Sequence, residues 1–395
     1  MKEAFLLSLL ISGSLVSITQ EQKITIPMTA KEPADFAPAG WHVDGVKRGD
    51  LNGDKIDDAV IVITKPEVRE NNKIVESEKN FLALAFSDGG QFKRTAFSGV
   101  PIIDTPMDMG INSGMISIEN GVVVIEILGP PGDMIWLYRY RYRWQQNRWM
   151  LIGKTYGEEY RFQPDAPVND EDTNLSTGLV SRTDASSFIK RGKKQLPMKG
   201  DYYELQAITT NEAQKIDGLF DPGEWQGYVL KLNAKRQVIR GVELWKGISD
   251  VSAVLNAVRQ GDDLFIRAEV TDDQFSEGDG LRLVNEKGRI IAPKEIKTTP
   301  TPKGYNAEAL YSMEDLEMLA GSDATLSGVL LSDEWKYLEK QVGFFAAVEI
   351  IDVDGKAKRA TLSTRLRGSP FNGSIRAYQA GVAVLENSDA VTMRK

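Results

Sequence analysis

From Trp136 to Trp144 the chain repeats with a period of two: Trp136, Tyr138, Tyr140, Tyr142 and Trp144 alternate with Leu137, Arg139, Arg141 and Arg143. Such a repeat puts like residues on one side of a strand, whereas a helix would scatter them around its axis. The stretch predicts a strand whose aromatic face meets a core and whose arginines face water. An aromatic face left open to stack on sugar rings is the alternative. Shorter apolar or alternating runs predict further strands at 59–64, 81–86, 115–119, 122–128 and 148–152. Asn120-Gly121, set between two of these runs, is a hairpin turn signal, and Gln145-Gln146-Asn147 predicts another.

The second half has the same character. Strands are expected at 250–258, 264–270, 281–284, 343–351 and 357–364, with Asp354-Gly355 as a turn. One helix is expected at 312–320, with Met313, Leu316 and Leu319 on one face. Between the halves, 164–200 is polar, with Asp170-Glu171-Asp172 and the basic group Lys190-Arg191-Gly192-Lys193-Lys194, and reads as a linker or an irregular hairpin. A chain of 395 residues has room for more than one core. The expectation is a mainly β protein with two β-rich domains, 20–210 and 211–395, the second a β-sandwich.

Composition removes several functions. The net charge is −8 and no basic tract is long enough to displace counterions from phosphates, so no nucleic-acid partner is expected. With no cysteine there are no disulfides, thiolate nucleophiles or Cys-ligated zinc. His42 is the single histidine, which excludes two-His zinc sites, and no Gly-x-Ser-x-Gly elbow accompanies it. No acidic motif announces a glycosidase pair, and the reading leans away from an enzyme. Lys2 followed by the apolar stretch 4–16 reads as a signal peptide over 1–19. It is shorter than the ~20 residues a membrane span needs. The mature chain is therefore expected to be secreted or periplasmic, without a transmembrane segment.

The most chemically pointed stretch is Asp50-Leu51-Asn52-Gly53-Asp54-Lys55-Ile56-Asp57-Asp58, just before the apolar run Ala59–Ile63. Two like charges about 4 Å apart repel by roughly 4 kcal/mol at an effective dielectric of ~20, and a hard cation such as Ca²⁺ reverses that sign. Asp50, Asn52, Asp54 and Asp58, with the carbonyl of Ile56, are the expected ligands of a structural Ca²⁺. The alternative is an Asp-rich turn ahead of a strand. The spacing resembles the calcium loops of FG-GAP and VCBS-type repeats, except that Lys55 stands where those loops favour Gly, a position of positive φ. The stretch from Trp41 to Lys154 also resembles a family of exported bacterial proteins of unassigned activity. These begin with this loop and end in an aromatic hairpin such as Trp136–Tyr142 and Trp149–Gly153. The resemblance implies a fold and no mechanism.

In the second half, Ile216-Asp217-Gly218, Trp225, Asp250-Val251-Ser252-Ala253, Asp262–Ile266, Val270-Thr271-Asp272-Asp273 and Gly278-Asp279-Gly280-Leu281 follow in order. With Gly304–Glu308 and Ala347–Asp354, this succession resembles family 9 carbohydrate-binding modules and their DOMON-like relatives. The resemblance implies a β-sandwich, sometimes with structural calcium, that grips glycan ends between two aromatic rings. The corresponding loops offer Phe275 and Phe371 as ligand-binding residues. The function so expected is a non-catalytic binding protein with a glycan or polysaccharide partner and a calcium-stabilised first domain. A scaffold for a protein partner in the envelope is the alternative.

Overall fold

The computed structural model describes residues 23–24, 26–76, 78–98, 115–128, 133–145, 147–160, 162, 168–191, 194–210, 213–220, 228–320, 341–354, 358–378, 385–386 and 391–392. The segment read as a signal peptide, 1–19, and Trp225 lie outside them. The protein is mainly β, as the period-two patterning requires, with one α-helix among the described residues at Met313–Ala320. Met313 and Leu316 of that helix are buried in the second half's core, as their spacing predicts.

In the first half, the strand Asp58–Lys65 sits inside a sheet between His42–Gly49 and Lys79–Asp88. Its apolar run is uninterrupted because both its faces are covered. Val60 and Val62 point into one core with Leu82, Leu84, Val123, Tyr138 and Tyr142. Ala59, Ile61 and Ile63 point into another with Ile26, Phe36, Phe81 and Phe97. The aromatic strand Met134–Gln145 lies against the first of these cores. Tyr138 and Tyr142 are buried, and Trp136 and Tyr140 are partly so. Arg139 and Arg143 are exposed, so the aromatic face is core and the cationic face meets water.

Asn120 (φ 52°) and Gly121 (φ 74°) both take positive φ between the strands Ile116–Glu119 and Val122–Leu128, the turn that right-twisted strands favour. Gln145 pairs with Arg148 across the second predicted turn, where Asn147 has φ 57°. Gly355 of the third lies outside the described residues, and Asp354 pairs with Lys358 across it.

Two expectations need correction. Of the two readings of the polar segment 164–200, the linker fails over its described part and the irregular hairpin holds for its end: Asp170–Asn174, Leu179–Arg191 and Lys194–Thr209 are antiparallel strands of a 14-stranded sheet, and the last two form a hairpin whose register shifts between Asp184 and Phe188. Asp170–Asn174 is polar throughout, and in Leu179–Arg191 the buried Val180 stands among polar neighbours, so hydrophobic alternation does not reveal them. The predicted strand 343–351 is two strands in two different sheets. Gln341–Phe344 pairs with Ser374–Tyr378, and Ala346–Asp354 pairs with Gly280–Asn285. The run Phe344-Phe345-Ala346-Ala347 stays apolar across the switch, so its periodicity carries no sign of it.

The second half is a β-sandwich. One layer is the five-stranded sheet of Val238–Arg240, Lys358–Ser363, Ala346–Asp354, Gly280–Asn285 and Ile290–Ile291. The other is the end of the 14-stranded sheet, including Val251–Gln260, Asp263–Asp272 and Gly304–Ser312. Leu283, Val348, Ile350 and Leu362 from the first layer share a core with Leu255, Ile266, Ala307 and Phe344 from the second. The strand Lys194–Thr209 runs from one half into the other. It is antiparallel to Leu179–Arg191, then parallel to Ser374–Tyr378 and Val251–Gln260.

Buried ion pairs fasten both places where that continuity matters. Arg376 Nε lies 2.9 Å from Glu204 Oε2 and its Nη2 lies 3.0 Å from Glu171 Oε1, so the strand Ser374–Tyr378 is tied to the first half. Arg267 Nε lies 2.9 Å from Glu308 Oε1. The other Glu308 oxygen accepts the N–H groups of Asp217 and Gly218 at 2.9 and 2.7 Å, which holds the entry segment onto the sheet. Gly218 has φ 74°, and a Cβ there would meet Thr299 Oγ1 at 2.1 Å, so both backbone and space require glycine.

Candidate functional site

The Asp50–Asp58 loop spends its side-chain oxygens on its own backbone. Asp50 accepts Gly53 N–H at 2.6 Å and Lys55 N–H at 2.9 Å, Asn52 accepts Asp54 N–H at 2.9 Å, and Asp54 accepts Ile56 N–H at 2.8 Å. The Gly53 amide, first among these contacts, holds the Asp50 carboxyl below its ordinary range. Asp58 is buried and faces inward. It accepts Leu51 N–H and Ser87 N–H, both at 2.9 Å, joining the loop to the strand Lys79–Asp88. Its burial pushes its pKa up, against the pull of those two amides. Ile56 is exposed, and Lys55 has φ 69°, the left-handed conformation its position in the loop demands.

The carboxylates that do converge lie in the second half. Among the described residues, acidic oxygens gather within 4.8 Å in two groups of three: Asp250, Asp273 and Asp354, and Asp272, Asp279 and Asp352. They come from neighbouring ends of strands. Asp250 precedes Val251–Gln260, Asp272 ends Asp263–Asp272, Asp279 precedes Gly280–Asn285, and Asp352 and Asp354 end Ala346–Asp354. Pairing Val251 with Asp272 and Gly280 with Ile351 is what brings these ends together.

The two groups differ in what balances them. The outer group has a cation of its own: Lys246 Nζ lies 3.4 Å from Asp250 and 3.9 Å from both Asp273 and Asp354. For the inner group, no Lys or Arg lies within ion-pair distance among the described residues. Asp279 accepts Val353 N–H at 2.6 Å, and one Asp272 oxygen accepts Gln274 N–H at 2.8 Å. Asp272 Oδ2 and Asp352 Oδ1 are buried without a partner among the described residues. Burial first, and then the neighbouring carboxylates, raise Asp272 to about 6 and Asp352 to about 7. Asp279 is raised too, mainly by burial. Crowded, desolvated oxygens with open lone pairs fit a hard divalent cation such as Ca²⁺, which would remove both the repulsion and the unsatisfied acceptors.

Phe275 lies on the short loop between Asp272 and Asp279. It is 40% exposed, with its ring 5.2 Å from that of buried Tyr305. Phe371 is only 7% exposed. It packs on Tyr202 at 5.9 Å, with the Arg182 guanidinium 5.5 Å from its ring. Its neighbour Asn372 donates to Val284 O near the far end of the strand that Asp279 precedes. Gly280 to Val284 spans about 13 Å at ~3.3 Å per residue, so the two phenylalanines sit toward opposite ends of that strand. They do not form a clamp here.

What lies on the solvent face of the five-stranded sheet is a cavity of about 490 Å³. Leu281 and Leu283 point to the core, so Arg282 and Val284 point the other way, into the cavity. Arg282 stands opposite Glu349 and donates to one of its oxygens at 2.8 and 2.6 Å. Asn285 and Asn372 add buried amides, and Arg240, Arg365 and Arg367 complete the polar wall. Neither this cavity nor the acidic centre was singled out from the sequence. The available hints were Arg365-Leu366-Arg367, alternating around a buried leucine, and aspartates recurring at the ends of apolar runs.

No family model matches the chain, and no curated protein does. Among solved structures, it is similar to a family 9 carbohydrate-binding module from Caldicellulosiruptor kristjanssonii in complex with glucose. The identity is 17%, covering 44% of this chain and 96% of that one, with a TM-score of 0.27. A family 9 module from the same organism in complex with cellotriose has 15% identity, 46% and 98% coverage, and a TM-score of 0.28. Likeness at that level carries no argument about ligands. The sandwich assignment rests on the strand pairing described above.

Proposed function

We propose that this is a non-catalytic carbohydrate-binding protein, with calcium holding the loops at one end of its C-terminal sandwich. The observation that carries the proposal is the cavity on the solvent face of the five-stranded sheet. Planar side chains of Arg282, Glu349 and Asn372 are fixed there on strands and tight turns. Paired hydroxyls of a sugar ring match such side chains, and the apolar wall of Val284, Ile239 and Leu366 suits its C–H faces. Preformed polar groups of this kind lower the ordering cost of binding.

Calcium belongs to the same proposal. Asp272, Asp279 and Asp352 would hold it, and it would stiffen the loop that carries Phe275. The Asp50–Asp58 loop is the second candidate, in which Asp50, Asn52 and Asp54 would have to turn from their amides toward the ion. The apolar stretch 4–16 behind Lys2 supports action outside the cytoplasm, secreted or periplasmic. Among the described residues no helix is long and apolar enough to cross a membrane.

The test is retention of the full chain on columns of immobilised plant and cell-wall polysaccharides in the presence of calcium. Retardation on at least one column, reversed by free oligosaccharide, is the expected result. Passage through every column, alongside capture of a protein partner from envelope extracts, would replace this reading with the scaffold one.

A further inference from the structure

We infer that the cavity on the five-stranded sheet takes an acidic saccharide, a sugar bearing a carboxylate or sulfate, rather than a neutral one. The inference rests on the carbohydrate reading above and adds the charge of the ligand. Its basis is an imbalance local to this wall. The chain as a whole is acidic, at −8, yet the cavity is lined by Arg240, Arg282, Arg365 and Arg367 against a single carboxylate, Glu349.

Glu349 is committed. Its Oε2 receives both Nε and Nη2 of Arg282, at 2.8 and 2.6 Å, and the pair is largely shielded from water. That leaves Arg240, Arg365 and Arg367, all exposed at the cavity, with no carboxylate within ion-pair distance among the described residues. Exposed arginines usually find an acidic neighbour or spread apart. Here three converge from two separate segments, the strand Val238–Arg240 and the turn after Lys358–Ser363. The backbone fixes them there: Val238 pairs with Leu362, and Arg367 N–H donates to Arg236 O.

A guanidinium presents a planar fork of donors that matches the two oxygens of a carboxylate or sulfate. An oxyanion in the cavity would meet these charges, and each charge-assisted contact is about twice as strong as a neutral one. The cavity volume suits a ligand of small-molecule size. The amide of Asn372 and the apolar Val284 and Leu366 offer the rest of a sugar ring its hydroxyl and C–H partners.

The experiment is calorimetric titration of the full chain with trigalacturonic acid, galactose 6-sulfate, cellotriose and sodium phosphate, with calcium held constant. At least one acidic saccharide should bind about tenfold more tightly than cellotriose, with the preference shrinking as salt is raised. The preferred acidic saccharide tells carboxylate from sulfate, and sodium phosphate should compete weakly. In the Arg365→Gln/Arg367→Gln double variant, the acidic saccharide should lose its tenfold advantage and bind no more tightly than cellotriose does to the same variant. Both residues are surface-exposed, so an unaltered melting temperature will show that the fold is intact. Equal affinity for cellotriose and the acidic sugars in the wild type would overturn the charge assignment and leave the carbohydrate reading standing. Absence of binding by every saccharide would overturn the carbohydrate reading itself, even if phosphate bound.

Discussion

The Asp50–Asp58 loop and the acidic end of the second sandwich contain the same residue type at similar density, yet the fold answers their oxygens differently. In the loop, every ligand-type side chain accepts a backbone N–H from within the loop or from the adjoining strand. In the sandwich, Asp272 and Asp352 keep buried oxygens with no partner among the described residues, and their pKa values rise to about 6 and about 7. The lesson is that acid count and spacing do not mark a cation site. What matters is whether the fold has already supplied donors to those oxygens. Lys246 makes the same point within one cluster, since its ammonium balances the outer group and leaves the inner one open.

The comparison is sharpest at its buried members. Asp58→Ala should destabilise the first half by about 3 kcal/mol, because it strands two amides in a buried setting at ~1–3 kcal/mol each. Asp54→Ala, on the exposed side of the same loop, should cost under about 1 kcal/mol. Urea unfolding followed by Trp fluorescence measures both. Similar losses for the two variants would mean that the loop is a cation cage rather than a hydrogen-bonded turn.

Calcium provides the next largest effect. At about 100 times its dissociation constant it should stabilise the fold by roughly 2.7 kcal/mol. The Asp272→Asn/Asp352→Asn variant should lose that response, while Asp50→Asn/Asp54→Asn should keep it. Melting curves with and without chelator decide the matter. If the response instead follows Asp50 and Asp54, the first-half loop is the main calcium site.

The pH response separates the two regions again. In chelator, Asp272 and Asp352 hold their protons up to about pH 6 and 7 in the folded state, while the unfolded chain releases them near pH ~4. The folded state then binds more protons, so stability falls as pH rises from ~4 to ~7, the reverse of ordinary acid denaturation. A drop of about 5 °C in melting temperature over that interval is expected. It should flatten when saturating calcium stabilises the ionised form. A flat profile in chelator would remove the unbalanced inner cluster.

The smallest effect belongs to Lys55. Its φ of 69° costs an L-residue about 1 kcal/mol, part of which glycine gives back through greater freedom when unfolded. Lys55→Gly should therefore stabilise the loop by at most about 0.5 kcal/mol. A clear loss of stability would show that the lysine side chain contributes a contact of its own.

Much of the fold was legible because it depends on local rules. The alternation at Trp136–Trp144 gave the strand and its buried face, Asn120-Gly121 gave a hairpin, and the spacing of Met313 and Leu316 gave the helix. The sheet switch at Phe345 and the joining of the polar strands from Asp170 to Arg191 into one large sheet were not legible. Hydrophobic patterning reports which side of a strand is buried, but not which sheet the strand joins, and it says nothing of strands whose buried sides are charged. Glu204 and Arg376 show why: each is a polar residue in isolation, and they become core only because the fold brings two residues 172 positions apart to within 2.9 Å.

The sequence by itself determined that this chain is built from sheets, that it holds one histidine and no cysteine chemistry, and where its Asp-rich turns fall. Only the tertiary structure decided which aspartates are answered by amides and which are left open. It alone gathered Arg240, Arg282, Arg365 and Arg367 onto one wall. The physical reason is that strand periodicity is set by neighbours along the chain, whereas the balance of charge at a site is set by neighbours in space, and strand pairing over long separations chooses those.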